Sequence, residues 1–351
     1  MKKNIKILIA EDSKVITALL YSIFSEDKYI SIIGCARNGK EAIEFVRDLK
    51  PDLVTMDVHM PIMNGLNATS VIMDEFPLPI VIISSQVNNL ELNTTFDALN
   101  MGALAVIEKP KDVCGNKFDE YKYNLLNTIH AMSQVKVIRR RINKNILPYN
   151  YRYSTCLEKV KNNVYEILAL GSSTGGPEAL MYILSRLRFD FPVPIVIVQH
   201  ISEGFIEGFV AWLQKGCQLK ISIAKNNTSL AAGHVYFAPD NQHLTIIRKD
   251  KPYIKLIKTK KVDYYRPSIT ELFSSLARSY PGVSVAGLLT GMGKDGADGL
   301  LAMKQVDSHT FIQNKSSSTV FGMAGQAMKL NASSEVLDLV DIPVFLAKLF
   351  Q

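Results

Sequence analysis

From Ile5 to about Lys111, short apolar runs alternate with stretches of helical periodicity, and this alternation leaves the chain few ways to fold. The runs are Ile5 to Ala10, Ile30 to Cys35, Leu53 to Met56, Pro79 to Ile83 and Ala103 to Ile107. Each is short and almost wholly apolar, as a strand covered on both faces must be. Successive parallel strands need a crossover of about a dozen residues or more, usually a helix. Five such repeats therefore predict a parallel, doubly wound α/β sheet.

In sheets of this kind ligands bind beyond the carboxyl ends of the strands. Glu11 and Asp12 follow the first run, Asp57 the third, Ser84 ends the fourth and Lys109 follows the fifth. Carboxylates of Glu11, Asp12 and Asp57 suit Mg²⁺, a hard cation that takes oxygen ligands. Asp57 is the candidate nucleophile towards a phosphoryl group, with Lys109 to pair with that group and Ser84 to hydrogen-bond it.

At 351 residues the chain has room for a second domain with its own core. There the apolar run Tyr165 to Leu170 leads into Gly-Ser-Ser-Thr-Gly-Gly and a helical pattern opening at Pro177, which puts Ser173 at a strand-to-helix turn. Unpaired N–H groups at a helix N-terminus favour negative charge, so those near Thr174 to Gly176, Gly175 among them, are candidate oxyanion donors. Glycine-rich turns also cradle phosphate. Against that use, Pro177 and Glu178 stand where a phosphate loop needs Lys and Ser or Thr, and the glycine spacing is not that of a dinucleotide fingerprint.

Two more strand ends carry polar groups. The run Pro192 to Gln199 ends at His200, and Val283 to Leu289 leads through Thr290-Gly-Met-Gly-Lys to Asp295, before a helical pattern over Ala297 to Val306. A serine hydroxyl needs a neighbouring base, and the base needs a group to orient it. Ser173, His200 and Asp295 supply these parts if three loops of one sheet converge, in a chain order unlike that of α/β-hydrolases or the familiar proteases.

Composition narrows the remaining choices. No run of about 18 apolar residues and no signal-peptide pattern follow Met1-Lys2-Lys3-Asn4, so a soluble, cytoplasmic protein without membrane insertion is expected. Four scattered cysteines, Cys35, Cys114, Cys156 and Cys217, point away from a zinc site or disulfide framework. The net charge of +7 is otherwise spread, but Lys136 to Lys144 is strongly basic; it reads as the start of a tether rather than a nucleic-acid arm. A last helix of the first domain is expected over Phe118 to about Ile138, with the boundary between domains near 140 to 162. No helix-turn-helix or comparable DNA reader is apparent.

Two resemblances follow from these motifs. Ile-Ala-Glu-Asp-Ser13, Thr-Met-Asp-Val-His-Met-Pro-Ile-Met-Asn-Gly65 and Glu-Lys-Pro110 resemble a response-regulator receiver domain, which implies a flavodoxin-like fold, phosphorylation of Asp57 with Mg²⁺, a histidine kinase as phosphodonor and a cis Lys109–Pro110 peptide. Val106 stands where many receivers carry an aromatic, implying a readout through helix repacking. Gly-Ser-Ser-Thr-Gly-Gly-Pro177, Gln-His200, His-Val-Tyr-Phe-Ala-Pro-Asp-Asn-Gln-His-Leu244, Arg-Pro-Ser268, Leu-Thr-Gly-Met-Gly-Lys-Asp-Gly296 and Val-Phe-Gly-Met323 resemble the chemotaxis protein-glutamate methylesterase family.

That second resemblance implies hydrolysis of γ-glutamyl methyl esters on chemoreceptor helices, deamidation of some glutamines, a Ser173–His200–Asp295 triad with Met292 lining the site, and no cofactor for the esterase. Asn314, Lys315 and Ala324 depart from the family pattern of an acidic pair and a proline. The expected organisation is a receiver over 1–128, a helix end and linker over 129–162 and a catalytic domain over 163–351, with the receiver restraining the esterase crevice until Asp57 is phosphorylated. A hydrolase acting on a non-receptor substrate, a phosphorylation-switched binding protein and a DNA-binding regulator are the competing readings.

Overall fold

A computed structural model describes residues 4–85, 96–99, 101–110, 115–135, 137, 165–262 and 265–350. The chain forms two compact units, Met1–Asn143 and Lys144–Gln351. The expected tether and, apart from Val137, the basic stretch Lys136 to Lys144 lie outside the described residues, as do Cys114 and Cys156.

In the first unit β1 (Ile5–Ala10), β2 (Ile30–Ala36), β3 (Leu53–Met56), β4 (Ile80–Ser84) and β5 (Ala105–Glu108) form one parallel sheet in the order β2-β1-β3-β4-β5. Helices α1 (Lys14–Ser25), α2 (Gly39–Leu49), α3 (Gly65–Glu75) and α4 (Asn116–Met132) cover it. The first three open on side-chain caps from Ser13, Asn38 and Asn64, each accepting an otherwise orphaned N–H. The chain switches sides between β1 and β3, so Glu11, Asp12 and Asp57 emerge at that crevice. Helix α4 stops at Met132, six residues before the predicted Ile138, where the Ser133 N–H closes the last turn on Ile129 and Ala131.

The second unit has a seven-stranded parallel sheet. Its strands are β6 (Ile167–Ser172), β7 (Ile195–Gln199), β8 (Lys220–Ile223), β9 (His234–Phe237), then, after a separate antiparallel hairpin β10 (His243–Arg248) and β11 (Pro252–Ile257), β12 (Ser284–Leu288), β13 (His309–Gln313) and β14 (Glu335–Leu337). The order β14-β13-β12-β6-β7-β9-β8 makes β6 the point where the chain changes direction. Strand β7 is shorter than the predicted run from Pro192, since neither Pro192 nor Pro194 can donate to a ladder.

Helices α5 (Gly176–Leu184), α6 (Ile206–Gly216), α7 (Ile269–Ser279), α8 (Ala297–Gln305), α9 (Met323–Lys329) and α10 (Ile342–Leu349) complete the unit. Helix α7 is held by a core that joins its Ile269, Leu272, Phe273 and Leu276 to Leu244, Ile246 and Ile254 of the hairpin and to Ala286 and Leu288 of β12. Burial of each such leucine, isoleucine or phenylalanine contributes about 1.5 to 3 kcal/mol. This wedge aims the N-terminus of α7 at the carboxyl end of the sheet.

Candidate active site and phosphoryl-acceptor site

Three adjacent strands, β12, β6 and β7, deliver the chemistry of the second unit. Ser172 ends β6 fully buried, and its hydroxyl donates to Gln199 Oε1 at 2.5 Å. Ser173, one residue on, is 8% exposed and has left the ladder, its N–H bonding Thr290 O at 3.1 Å. Gln199 Nε2 donates both to Ser173 O at 2.9 Å and to His200 O at 2.8 Å, so one amide ties the serine loop to the histidine loop. On the far side, a Cβ placed on Gly291 would fall 2.7 Å from Ser173 Cβ, which leaves the serine wedged against the loop that follows β12.

The turn after Ser173 needs its glycines. Gly175 has φ of 77°, a left-handed conformation that side chains resist, and a Cβ on Gly176 would stand 2.1 Å from Gln199 Oε1. The Gly176 N–H is already bonded to Ser173 O at 2.8 Å. Of the predicted oxyanion donors, the N–H groups of Thr174 and Gly175 are those that give nothing to a backbone carbonyl among the described residues.

His200 Nε2 lies 2.9 Å from Asp295 Oδ2, both side chains being almost wholly buried. This is an ion-pair distance without hydrogen-bond alignment, and neither ring nitrogen makes an aligned hydrogen bond among the described residues. The structure therefore unites His200 and Asp295 but leaves Ser173 Oγ unbonded to the ring, a looseness common before substrate binds. The ring lies flat on Tyr265, centroids 3.9 Å apart and planes 4° apart.

Asp295 is completely buried, and the N-terminus of α7 satisfies it. Its oxygens accept from Ser268 Oγ at 2.9 Å, Ile269 N at 2.7 Å and Thr270 N at 3.1 Å. Burial alone would raise this carboxyl, but the imidazole beside it and the Thr270 and Ile269 hydrogen bonds outweigh burial and hold it down at about 2. Asp295 is thus an anion at neutral pH. Ser268 is itself fixed by buried His243, whose Nδ1 accepts the Ser268 N–H at 3.2 Å.

Sequence reading missed the roles of Ser268, Ile269, Thr270 and Tyr265. One signal was present: Ser268 followed by Glu271 ahead of an apolar run is a capping box, and Ser268 Oγ does accept from Glu271 N at 3.3 Å. Met292 is half-buried on the loop between Gly291 and Asp295, where a Cβ on Gly322 would meet its Cα at 3.1 Å. Asn314 builds a turn, accepting from Ser317 N at 3.0 Å and Ser317 Oγ at 2.7 Å, while Lys315 is exposed and Ala324 is buried in the core. Among the described residues the cis peptide is Arg266–Pro267, not Lys109–Pro110; either X–Pro bond tolerates both isomers, so local packing decides.

In the first unit one ligand atom from each of Glu11, Asp12 and Asp57 lies within 4.8 Å of the others. Lys109 Nζ stands 2.7 Å from Glu11 Oε2 and 3.0 Å from Asp57 Oδ2. Burial pushes the Asp57 carboxyl above its ordinary range against the pull of Lys109. Burial and then the charge of Asp57 push Glu11 up as well. Burial would lower Lys109, but Asp57 and Glu11 outweigh it and raise its affinity for the proton. Two crowded carboxylates, an exposed third and all-oxygen donors fit a hard divalent cation, which would relieve this crowding. Ser84 is fully buried at the end of β4, and Val106 is half-buried on β5.

Comparison with known proteins matches a stretch of each unit to a family. The model of the CheB methylesterase family matches residues 168–346, and that of the response regulator receiver domain matches residues 7–114. The chain belongs to the CheB methylesterase family. Among similar proteins, the protein-glutamate methylesterase/protein-glutamine glutaminase of Nitrosospira multiformis is 42% identical over 98% of this chain and 97% of its own. One from Syntrophus aciditrophicus is also 42% identical, over 98% of each chain. The crystal structure of the Thermotoga maritima CheB methylesterase catalytic domain matches with a TM-score of 0.52 and 33% identity, covering 53% of this chain and 98% of that one. No helix among the described residues of this family member is long and apolar enough to cross a membrane.

Proposed function

We propose that the second unit removes methyl groups from glutamate γ-methyl esters of a protein, and deamidates glutamines, and that phosphorylation of Asp57 in the first unit sets its rate. The observation that carries the hydrolase reading is the buried Asp295 carboxylate beside His200, one strand away from Ser173, whose hydroxyl makes no hydrogen bond among the described residues. With Nε2 against Asp295, the base nitrogen is His200 Nδ1. It takes the Ser173 proton as Oγ attacks the ester carbonyl carbon, and the oxyanion turns to the N–H groups of Thr174 and Gly175. Each such donor is worth roughly 10² to 10³ in rate.

His200 then gives its proton to the departing methoxide, releasing methanol and leaving an acyl-serine. Water attacks that acyl carbon while His200 removes its proton, and the proton returns to Ser173 Oγ as free glutamate forms. A glutamine side chain follows the same course with ammonia leaving. Asp295 stabilises the imidazolium at each stage, and Met292 lines the pocket.

For the first unit, Glu11, Asp12 and Asp57 would hold Mg²⁺, which supplies charge neutralisation of phosphoryl oxygens when bound. Asp57 accepts the phosphoryl group, Lys109 exchanges its carboxylate contacts for that group, and Ser84 hydrogen-bonds it. The phosphodonor would be a chemotaxis histidine kinase and the substrate the cytoplasmic helices of chemoreceptors, reached from the cytoplasm, with the domains divided at about 128 and 162. Names of similar proteins support the ester and amide chemistry, and the receiver match supports the phosphodonor.

The test is methanol release from methyl-labelled chemoreceptor membranes with and without beryllofluoride and Mg²⁺ as a phosphoryl mimic. Release that rises with the mimic is expected. Equal release in both conditions would remove the switch, and none in either would remove the receptor as substrate.

A further inference from the structure

Between Arg248 and Lys261 the chain carries seven basic residues and a single acidic one, Asp250. Alternation with the apolar residues of β11 hides this density in the sequence, where the charge outside Lys136 to Lys144 reads as spread. Lys255, Lys258, Lys260 and Lys261 are all exposed, while Ile254, beside Lys255 on β11, faces the core. Earlier in the run, Arg248 meets Glu166 at 3.2 Å and Lys249 lies over the Tyr253 ring.

This basic segment is clipped to the catalytic loop. His243 Nε2 donates to Lys260 O at 3.1 Å, its Nδ1 accepts from Ser268 N at 3.2 Å, and Ser268 Oγ donates to Asp295 at 2.9 Å. These bonds set His243 as the neutral tautomer protonated at Nε2. Arg266 Nη1 donates to Thr259 O at 3.0 Å. Val262 and Tyr265 exchange both backbone bonds, at 3.0 and 2.8 Å, and Tyr265 carries the stack on His200. A strap of lysines is thereby fixed at the border of the site rather than left on a remote face.

From this we infer that Lys255, Lys258, Lys260 and Lys261 form a docking strap for an acidic protein segment bearing the glutamyl ester. The inference rests on the esterase reading. Every turnover of that reaction leaves one more carboxylate on the substrate, so a segment with several such positions is anionic around the ester still to be cut. Fixed cations within a screening length of about 8 Å raise the local concentration and encounter rate of such a segment. Attachment of the strap to the catalytic loop favours a protein substrate over nucleic acid.

The experiment uses the full chain and three substrates: a neutral N-acetyl glutamate γ-methyl ester amide, and two peptides bearing one γ-methyl glutamate flanked either by glutamates or by glutamines. Wild type is expected to show kcat/KM about tenfold higher on the acidic peptide, an advantage that closes near about 1 M salt. In the variant K258Q/K260Q/K261Q the advantage disappears while the neutral ester is cleaved as before. Cleavage of the neutral ester by wild type without preference for the acidic peptide would overturn the strap alone. Equal loss on all three substrates in the variant would make the lysines structural and also overturn it. Lost affinity for a DNA duplex with unchanged acidic-peptide kinetics would assign the strap to nucleic acid. Failure of wild type on every ester would sink the esterase reading and the strap with it.

Discussion

The ring of Tyr265 lies flat against the imidazole of His200, centroids 3.9 Å apart and planes 4° apart. Asp295 approaches one edge of that imidazole without hydrogen-bond alignment, so the face contact does much to set its plane. Tyr265→Phe keeps the face and is expected to keep turnover near wild type. Tyr265→Leu frees the ring and is expected to lower kcat by about 10- to 100-fold with KM unchanged, the scale of loss for a misplaced catalytic group. Steady-state kinetics on a neutral ester, with thermal melts of both variants, separate positioning from packing. An intact kcat in the leucine variant would reduce the stack to packing.

Ser172 and Ser173 are adjacent and both buried, but differ in what holds their hydroxyls. Ser172 is locked to Gln199, whose amide in turn holds the backbones of Ser173 and His200. Ser172→Ala leaves a buried oxygen unpaired and should cost about 1 to 3 kcal/mol of stability while activity persists. Ser173→Ala should lose at least about 10³-fold in kcat at little cost in stability. Paired melting curves and ester hydrolysis check both, and a serine-directed fluorophosphonate should label wild type and the Ser172 variant only. Labelling of the Ser173 variant would transfer the nucleophile to another residue.

The strand ends bearing Ser173, His200 and Asp295 are legible because buried parallel strands are continuous apolar runs, and a polar residue closing such a run stands at the crevice. What the sequence hides is tertiary. Asp295 is satisfied by N–H groups 25 to 26 residues earlier in the chain, a meeting made by the wedge of α7 between hairpin and sheet. Tyr265 is bridged to Val262 outside the sheet, where no periodicity marks it. The limits of β7 shift because prolines match the apolar pattern but cannot donate, and the end of α4 shifts because apolar spacing continues after the backbone bonds stop.

Asp57 is held in the folded receiver with its affinity for a proton raised, chiefly by burial. A carboxyl of this kind favours folding fully below its unfolded value near 3.9, and the benefit is lost as pH rises through the higher folded value. At neutral pH its charge is therefore a cost. Asp57→Asn should stabilise the receiver by about 0.5 to 2 kcal/mol in the absence of divalent cations, the usual gain when a functional strain is removed. Mg²⁺ should raise the melting temperature of wild type and do little for the variant. Calorimetry of the full chain with chelator and with Mg²⁺ checks this, and a variant less stable than wild type under chelator would contradict it.

Asp295 shows the opposite linkage. Its carboxyl is held at about 2 against burial by His200 and by the Thr270 and Ile269 hydrogen bonds, below its unfolded value near 3.9. Such a group contributes stability that is present above the unfolded value and is lost as pH falls through the folded one. A shift of this size amounts to about 2 to 3 kcal/mol. Wild type should accordingly lose that increment between about pH 4 and pH 2. Asp295→Asn cannot lose it, because it has no proton to gain. The difference in unfolding free energy between the two proteins, measured by denaturant titration at stepped pH, should shrink towards pH 2. A difference that stays constant over this range would mean that the carboxylate charge contributes nothing to the fold.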